Sequence, residues 1–369
     1  MNKLVMKISA KLALLAVLSV IGTALVTSAT IPVSDQDSLE ALIEAEHWKR
    51  AREMVEPRLK ADPNDLQALF VMARYKEAAG DYGGALAMTE KLIDLNPKNA
   101  DYYCLLAYTH GRQVVRAGIL RKLGLAHRIK KAAETALKLN PNHIEARLIL
   151  IEYYRMVPGI LGGDKNKAWA LAEETVRLDP VRGYIAQANF AREREQTGQM
   201  EELYKKAVEA DPQSYHALMT LARFYTYGSH RNLELAENTA AEALRLDPDR
   251  AAAYSLLVQS LARQERWQDL DGVLDQAEKN IPDNLNPYFQ AGRIAYQQGK
   301  DFARAEGYFR KYLTQEPEPT SASHAQTYWR LGQTLEKLNR KAEAVEAFQE
   351  ALKLDPNLEG AKRDLKRLL

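Results

Sequence analysis

The sequence predicts an all-α fold, a superhelical solenoid of about nine helix-turn-helix repeats closed by a C-terminal capping helix. Three observations predict it. A tripeptide of an apolar or small residue, then Asp or Asn, then Pro recurs along the chain. Apolar residues inside each period follow helical spacing. The last dozen residues form an amphipathic helix that fits an open end. A chain of 369 residues would otherwise suggest two or three globular domains, but a repeat array grows along one axis without one large core.

The tripeptide ends at Pro63, Pro97, Pro141, Pro180, Pro212, Pro248 and Pro356, with looser versions at Pro282 and Pro317. Successive spacings are 34, 44, 39, 32, 36, 34, 35 and 39 residues, so the base period is 34 with insertions at defined places. Inside the clearest period, Tyr328, Leu331 and Leu335 make one apolar helical stripe. Gly332 and Ala344 let two helix backbones approach, and Phe348 and Leu352 fill the space against the next pair. Pro356 then stops the second helix, because it cannot continue the hydrogen-bond ladder. The same scheme runs through Leu69, Met72, Ala73, Gly80, Tyr82 and Ala85, through Leu218, Leu221, Ala222, Tyr225, Ala236 and Ala243, and through Tyr288, Gly292, Gly299, Ala305 and Phe309. Nine rough matches at one period make a strong signal.

In period and in these positions the chain resembles the tetratricopeptide-repeat (TPR) proteins, from about Ser34 onward. The array is expected over 34–356 and the capping helix over 357–369, where Leu358, Ala361, Leu365 and Leu368 form the stripe. Lys362, Arg363, Asp364 and Lys366 are read as its solvated face. No helix pair buries its stripe alone, so stability is expected to lie between neighbouring repeats.

Residues 1–29 differ from the rest. Lys3, Lys7 and Lys11 precede an apolar run from Leu12 to Val26, which leads into Thr27-Ser28-Ala29. A basic start, an apolar core and small residues at a cut site read as a signal peptide. The alternative is an uncleaved anchor, since no charge occurs from Leu12 through Val33, just long enough to span a bilayer. The expected location is periplasmic or secreted, with inner-membrane anchoring if the leader stays, and the membrane is reached by no other route. A lipid anchor is not expected, because the only cysteine is Cys104, which reads as a small buried residue.

The chain has 51 basic and 49 acidic side chains. Without the three leader lysines the balance is 48 against 49, a net −1. So neutral a chain lacks the field that steers nucleic acid or anionic lipid, and no nucleic-acid partner is expected.

Three stretches depart from the repeat. The 44-residue unit holds extra residues around Val114 to Arg128, read as helices lengthened by a turn or more, or else as a basic projection for an acidic partner. The stretch Val157 to Ala170 is Gly-rich, yet it lacks the flanking glycines, the Lys-Ser or Lys-Thr and the preceding strand of a phosphate loop. It is read as a sharp turn in which Asp164 or Asn166 caps the helix starting near Lys167. The short unit ending at Pro212 is expected to alter the superhelical twist.

The search for chemistry finds no HExxH among the seven histidines, no Cys pair, no Gly-x-Ser-x-Gly and no Gly-x-Gly-x-x-Gly after a strand. No catalytic, cofactor or metal residue is therefore nominated. The resemblance implies that the first helix of each pair lines a concave groove. Aligned from the prolines, that groove holds Phe70, Arg74, Tyr108, Arg112, Arg155, Arg192, Arg223, Arg263, Phe289, Arg293, Tyr296 and Trp329, with Glu152, Met219, Gln259 and Gln333 beside them. Arg74, Arg192, Arg223 and Arg293 share one repeat position. Arginine planes and aromatic rings suit an extended peptide or acidic segment, while pairing with neighbours such as Glu77 and Glu195 is the structural alternative. Chaperone-binding members of the family clamp a terminal carboxylate with Lys and Asn; Arg stands at the equivalent Asn position here, so a chaperone tail fits poorly. The expected function is non-catalytic: a scaffold that binds a protein or peptide in the groove. The alternative is a membrane-held assembly factor for an envelope machine such as polysaccharide export, a pilus or cytochrome maturation.

Overall fold

Helix capping and apolar spacing divide the chain into nineteen α-helices, with no strand among the described residues. The computed structural model describes residues 35–114, 117–228 and 230–369. The leader, and with it the choice between signal peptide and anchor, lies outside the described residues.

The helices form nine antiparallel pairs and one final helix. They are α1 (Asp35–Glu44) with α2 (Trp48–Ala61), α3 (Leu66–Ala78) with α4 (Tyr82–Leu95), α5 (Ala100–Val114) with α6 (Ile119–Leu139), and α7 (Ile144–Met156) with α8 (Lys165–Leu178). Then come α9 (Pro180–Glu193) with α10 (Thr197–Ala210), α11 (Tyr215–Thr226) with α12 (Leu233–Leu246), and α13 (Ala251–Arg263) with α14 (Trp267–Asn280). The last are α15 (Asn286–Gln298) with α16 (Phe302–Tyr312), α17 (His324–Lys337) with α18 (Lys341–Leu354), and the terminal α19 (Glu359–Leu368).

Side-chain caps explain many helix starts. Asp65, Asp81, Ser214, Asn232 and Asp301 each accept a backbone N–H from the first turn. Ser323 and Gln326 satisfy one another's backbone in a capping box that opens α17. Asp164 opens α8 by accepting from Asn166 and Lys167, as the sequence suggests. The extra residues of the third unit enter mainly α6, which has 21 residues against 14 in α4.

Pro180 behaves differently from the expectation that each proline ends a helix. It occupies the first turn of α9, where its missing N–H costs nothing. Asp179 closes α8 and caps α9 at once, so this link has no turn of its own. Gly183 makes the tight link feasible, since a Cβ there would lie 2.4 Å from the Val176 backbone nitrogen.

The core is a series of apolar clusters shared between successive pairs. The largest joins Leu261, Leu270 and Leu274 to Phe289 and Phe309, then to Leu331 and Phe348. Leu365 and Leu368 of α19 pack on its end, so the final helix covers the last pair. Gly332 is needed here because a Cβ would sit 2.6 Å from the Phe348 ring. One feature of α19 differs from its sequence reading. Asp364 is not on the solvated face but is buried, accepting from Trp329 Nε1 at 2.8 Å and Gln333 Nε2 at 2.9 Å.

The stack turns far enough to meet itself. His47 Nε2 lies 2.6 Å from the Asp249 carbonyl oxygen. Lys49 Nζ donates at 2.6 Å to the carbonyls of both Asp283 and Glu316. Arg50 Nε donates to Asp283 Oδ2 at 2.8 Å, and Arg250 Nη2 reaches Glu44 Oε2 at 3.2 Å. The first pair thus abuts the links that follow the sixth, seventh and eighth pairs. Among the described residues no helix is long and apolar enough to cross a membrane.

Candidate functional site

Six residues before the left-handed turns at Gly80, Glu195, Glu265, Gly299 and Asn339, the first helices carry Arg74, Asn189, Gln259, Arg293 and Gln333. Arg192, which the spacing from Pro180 placed with them, lies three residues further on because Pro180 is already inside its helix. Side chains around this row build three zones of different electrostatic character.

The first zone is a pocket of about 570 Å³. Phe70, Arg74 and Tyr108 line it, together with Glu44, Asp101, Cys104, Glu145, Arg182, His216 and Arg250. Tyr108 Oη donates to Glu145 Oε2 at 2.5 Å, and Arg182 pairs with the other oxygen of the same carboxylate. Burial works to raise the Glu145 carboxyl, but Arg182 and Tyr108 outweigh it and hold it below the usual range. Burial also pushes the Cys104 thiol up to about 12, with Asp101 and Glu145 adding to it. His216 is pushed down by burial and by Arg182 and Arg223, so its ring is neutral at pH 7. Arg74 lies over the Trp48 and Phe70 rings at 5.7 and 5.9 Å. Its guanidinium makes no ion pair among the described residues, and burial lowers its pKa. Counting Arg74, three arginines face three carboxylates in this pocket, Arg74, Arg182 and Arg250 against Glu44, Asp101 and Glu145.

The second zone is a more open pocket of about 820 Å³ that includes Arg192, Tyr204, Arg223, Tyr227 and His230. Arg192 Nη2 donates to Tyr204 Oη at 2.7 Å. Arg223 is exposed and forms neither a hydrogen bond nor an ion pair among the described residues. The His230 ring stacks on Phe224 with centroids 4.1 Å apart.

Tyr227 leads into the third zone. Its hydroxyl donates to Gln259 Oε1 at 2.9 Å, and Arg293 Nη2 donates to the same oxygen at 2.8 Å. Arg263 covers the Tyr227 ring at 5.6 Å and donates to the Gln259 carbonyl at 3.1 Å. Arg330 covers Trp329 at 4.5 Å and donates to Gln333 Oε1 at 2.9 Å. Every one of these acceptors is a neutral oxygen. Arg231 stands near Arg263, and none of Arg231, Arg263, Arg293 and Arg330 forms an ion pair among the described residues. Burial lowers the pKa of Arg263, and Arg293 and Arg231 lower it further; burial and Arg330 do the same to Arg293. A row of mutually repelling guanidiniums, with Arg263 and Arg293 partly desolvated at its centre, gains most from an anion.

The residues nominated from the sequence therefore divide. Phe70, Arg74 and Tyr108 meet in one pocket, and Arg192 and Arg223 in the next. Arg263 and Arg293 join through Gln259. Arg112 is instead satisfied by Glu77 at 2.7 Å, and Arg155 is clamped between Glu152 and Glu193. Phe289 belongs to the core, packed on Phe309 and Tyr312, rather than to the groove. Tyr296 leans on Phe302 at 5.8 Å, and Trp329 is tied to the capping helix through Asp364. Arg182, Arg231, Arg250 and Arg330 escaped notice because they lie outside the shared position. Their mutual spacing depends on the superhelical turn, which no single period reveals.

Comparison with known proteins agrees with this architecture. Residues 325–358 match the family model described as tetratricopeptide repeat. No curated protein has a matching sequence. Among solved structures, the human IFIT1 dimer with PPP-AAAA is similar at 17% identity and a TM-score of 0.50, over 90% of this chain and 81% of that one. Yeast Tom70 is similar at 16% identity and a TM-score of 0.46, over 89% and 79% of the two chains. TTC0263, a thermophilic TPR protein of Thermus thermophilus, has 21% identity and a TM-score of 0.45, over 53% of this chain and all of that one. Identities this low bear on the fold alone. The fold is a TPR solenoid, and its ninth pair carries the repeat's sequence signature.

Proposed function

We propose that this chain is a non-catalytic scaffold that works outside the cytoplasm and grips an extended acidic segment of a partner protein. The observation that supports the reading is the row Arg231, Arg263, Arg293 and Arg330, whose hydrogen bonds go only to neutral oxygens or are absent. Arg263, Arg293 and Arg330 are half-buried and Arg231 is exposed; half-buried charges without counter-charges are costly alone and favourable when a carboxylate arrives. Arg223 and Arg192 extend the row through Tyr227, giving a partner's acidic side chains contacts over several repeats. Arg112 and Arg155 contribute little, because Glu77, Glu152 and Glu193 already neutralise them. The export reading rests on the composition of residues 1–29. If that leader is retained, the same groove would serve a membrane-held assembly factor, and N-terminal sequencing of the mature protein separates the two.

The test is fluorescence polarisation with a labelled glutamate-rich peptide of about twelve residues, a glutamine-substituted peptide of the same length, and an oligonucleotide bearing a 5′ triphosphate. The acidic peptide should bind, weakening as salt rises, and the glutamine peptide should not. The human IFIT1 structure with PPP-AAAA makes the oligonucleotide the competing occupant. Tighter binding of that probe than of the acidic peptide would overturn the protein-segment reading.

A further inference from the structure

The place where the solenoid meets itself gathers an imidazole and two carboxyl groups. His47 lies in the turn between α1 and α2, Asp283 in the link after α14, and Glu318 in the link after α16. His47 and Glu318 are 0% and 2% exposed. One ligand atom from each of the three residues lies within 4.8 Å of the others.

The hydrogen bonds decide which atoms are available. A carbonyl oxygen only accepts, so the 2.6 Å contact of His47 Nε2 with the Asp249 carbonyl places the ring proton on Nε2. In the neutral ring, Nδ1 then carries a lone pair. It has no hydrogen-bond partner and lies 4.0 Å from Asp283 Oδ2. Glu318 Oε2 accepts the Lys49 backbone N–H at 3.1 Å, while Oε1 is buried and has no partner. Neither nearby cation reaches His47 Nδ1 or Glu318 Oε1. Lys49 Nζ is spent on two backbone carbonyls, whereas Arg50 already bonds both oxygens of the Asp283 carboxylate, so an incoming ion would share Asp283 with it. The unpartnered buried lone pairs of His47 Nδ1 and Glu318 Oε1, held this close together, are unfavourable unless a cation or a proton enters between them.

We propose that His47 Nδ1, Asp283 and Glu318 bind a divalent transition-metal cation of the zinc class. One imidazole with two carboxylates is a donor set that such ions accept. A ligating histidine that donates its other N–H to a backbone carbonyl is the usual supporting arrangement, and Asp249 provides it. Tetrahedral ligands at about 2.0–2.1 Å from zinc stand roughly 3.4 Å apart. Binding therefore draws the three atoms inward from their present spacing, and a solvent molecule completes the coordination. The ion would fasten the first pair to the seventh and eighth links, so metal would set how firmly the groove is closed. The ligands lie far apart along the chain, His47 near its start and Asp283 and Glu318 in its last third, which is why no sequence motif announces them.

The test uses the full chain without its leader, purified with chelator and then dialysed free of it. Zinc affinity is measured by competition with a chromogenic chelator, and thermal unfolding is followed with and without zinc. Expected results are one equivalent bound per chain, a rise in Tm that excess chelator reverses, and at least a hundredfold weaker binding in Glu318→Gln and His47→Gln. His127→Gln, an exposed histidine elsewhere, should bind as the wild type does. Crystals of the unaltered chain soaked in zinc give a reading by anomalous scattering that does not depend on how the clasp variants fold. A peak beside His47 Nδ1 and Glu318 is expected. No stoichiometric binding, a principal peak elsewhere, or undiminished affinity in both clasp variants would overturn the assignment.

Discussion

Replacing Asp364 with alanine tests how the solenoid is terminated. Its carboxylate is buried under α19 and accepts from Trp329 Nε1 and Gln333 Nε2. Burial works to raise the Asp364 pKa, but these two donors outweigh it and hold the group below the usual range. A hydrogen bond to a charged group contributes about 1.5–3 kcal/mol, and losing this acceptor leaves two donors in a poorly hydrated seat. After allowing for the desolvation that the charged carboxylate no longer suffers, Asp364→Ala should weaken the docking of α19 by about 2–3 kcal/mol. The apolar contribution of Leu365 and Leu368, both half-buried, is of similar size, since full burial of one leucine is worth roughly 1.5–3 kcal/mol. The cap should therefore open locally while the rest of the stack holds. A loss of about 2 kcal/mol corresponds to roughly thirtyfold faster hydrogen exchange in the opened segment. Exchange measured by mass spectrometry should accelerate in α17 to α19 and stay unchanged in α3 and α4. The sign with pH follows from the depressed pKa. The stabilisation is complete above the unfolded carboxyl value of about 3.9 and is lost as pH falls through the lower folded value. The wild-type cap should loosen in that acid window, and Asp364→Asn should lack the added acid sensitivity. Uniform exchange along the chain in Asp364→Ala, or an unchanged cap, would refute the anchoring argument.

Other consequences are open to direct measurement. Gly332→Val forces a side chain into the Phe348 ring and should cost about 1–3 kcal/mol in denaturant unfolding; a neutral result would contradict the close approach. Glu195 has a left-handed backbone at φ 56°, so Glu195→Gly should raise stability by up to about 1 kcal/mol, and a lower midpoint would show that the turn is unstrained. Cys104, pushed up to about 12 by burial, should resist iodoacetamide at pH 8 in the folded chain and react readily in denaturant, as read by intact mass.

Much of the architecture is legible in sequence because it is local. Each tripeptide and each apolar stripe acts within one period, and nine helix pairs follow from them. The α19 stripe is likewise visible, yet Asp364 within it reads as one more surface charge, since only the position of Trp329 in the preceding pair makes it an anchor. The groove shows the same division. Arg74, Arg223, Arg263 and Arg293 can be placed on one face from helical spacing. Whether each is free depends on carboxylates one repeat away, so Arg112 and Arg155 look equivalent to them until Glu77 and Glu193 come into reach. Phe289 has the spacing of a groove residue, but Phe309 and Tyr312 draw it into the core. Contacts of His47, Lys49 and Arg50 with the later links depend on the accumulated twist of seven repeats, which is a property of the whole stack.

The central claim is that uncompensated arginines in the later groove recruit an acidic segment, and charge reversal tests it most directly. Arg263→Glu with Arg293→Glu is titrated against a glutamate-rich and a lysine-rich peptide of equal length, beside the wild type. Circular dichroism at 222 nm checks that the helices persist. Two lost charge-assisted contacts of about 1.5–3 kcal/mol each predict at least a tenfold loss of affinity for the acidic peptide, with new binding of the basic one. Equal affinity of both proteins for the acidic peptide would contradict the account.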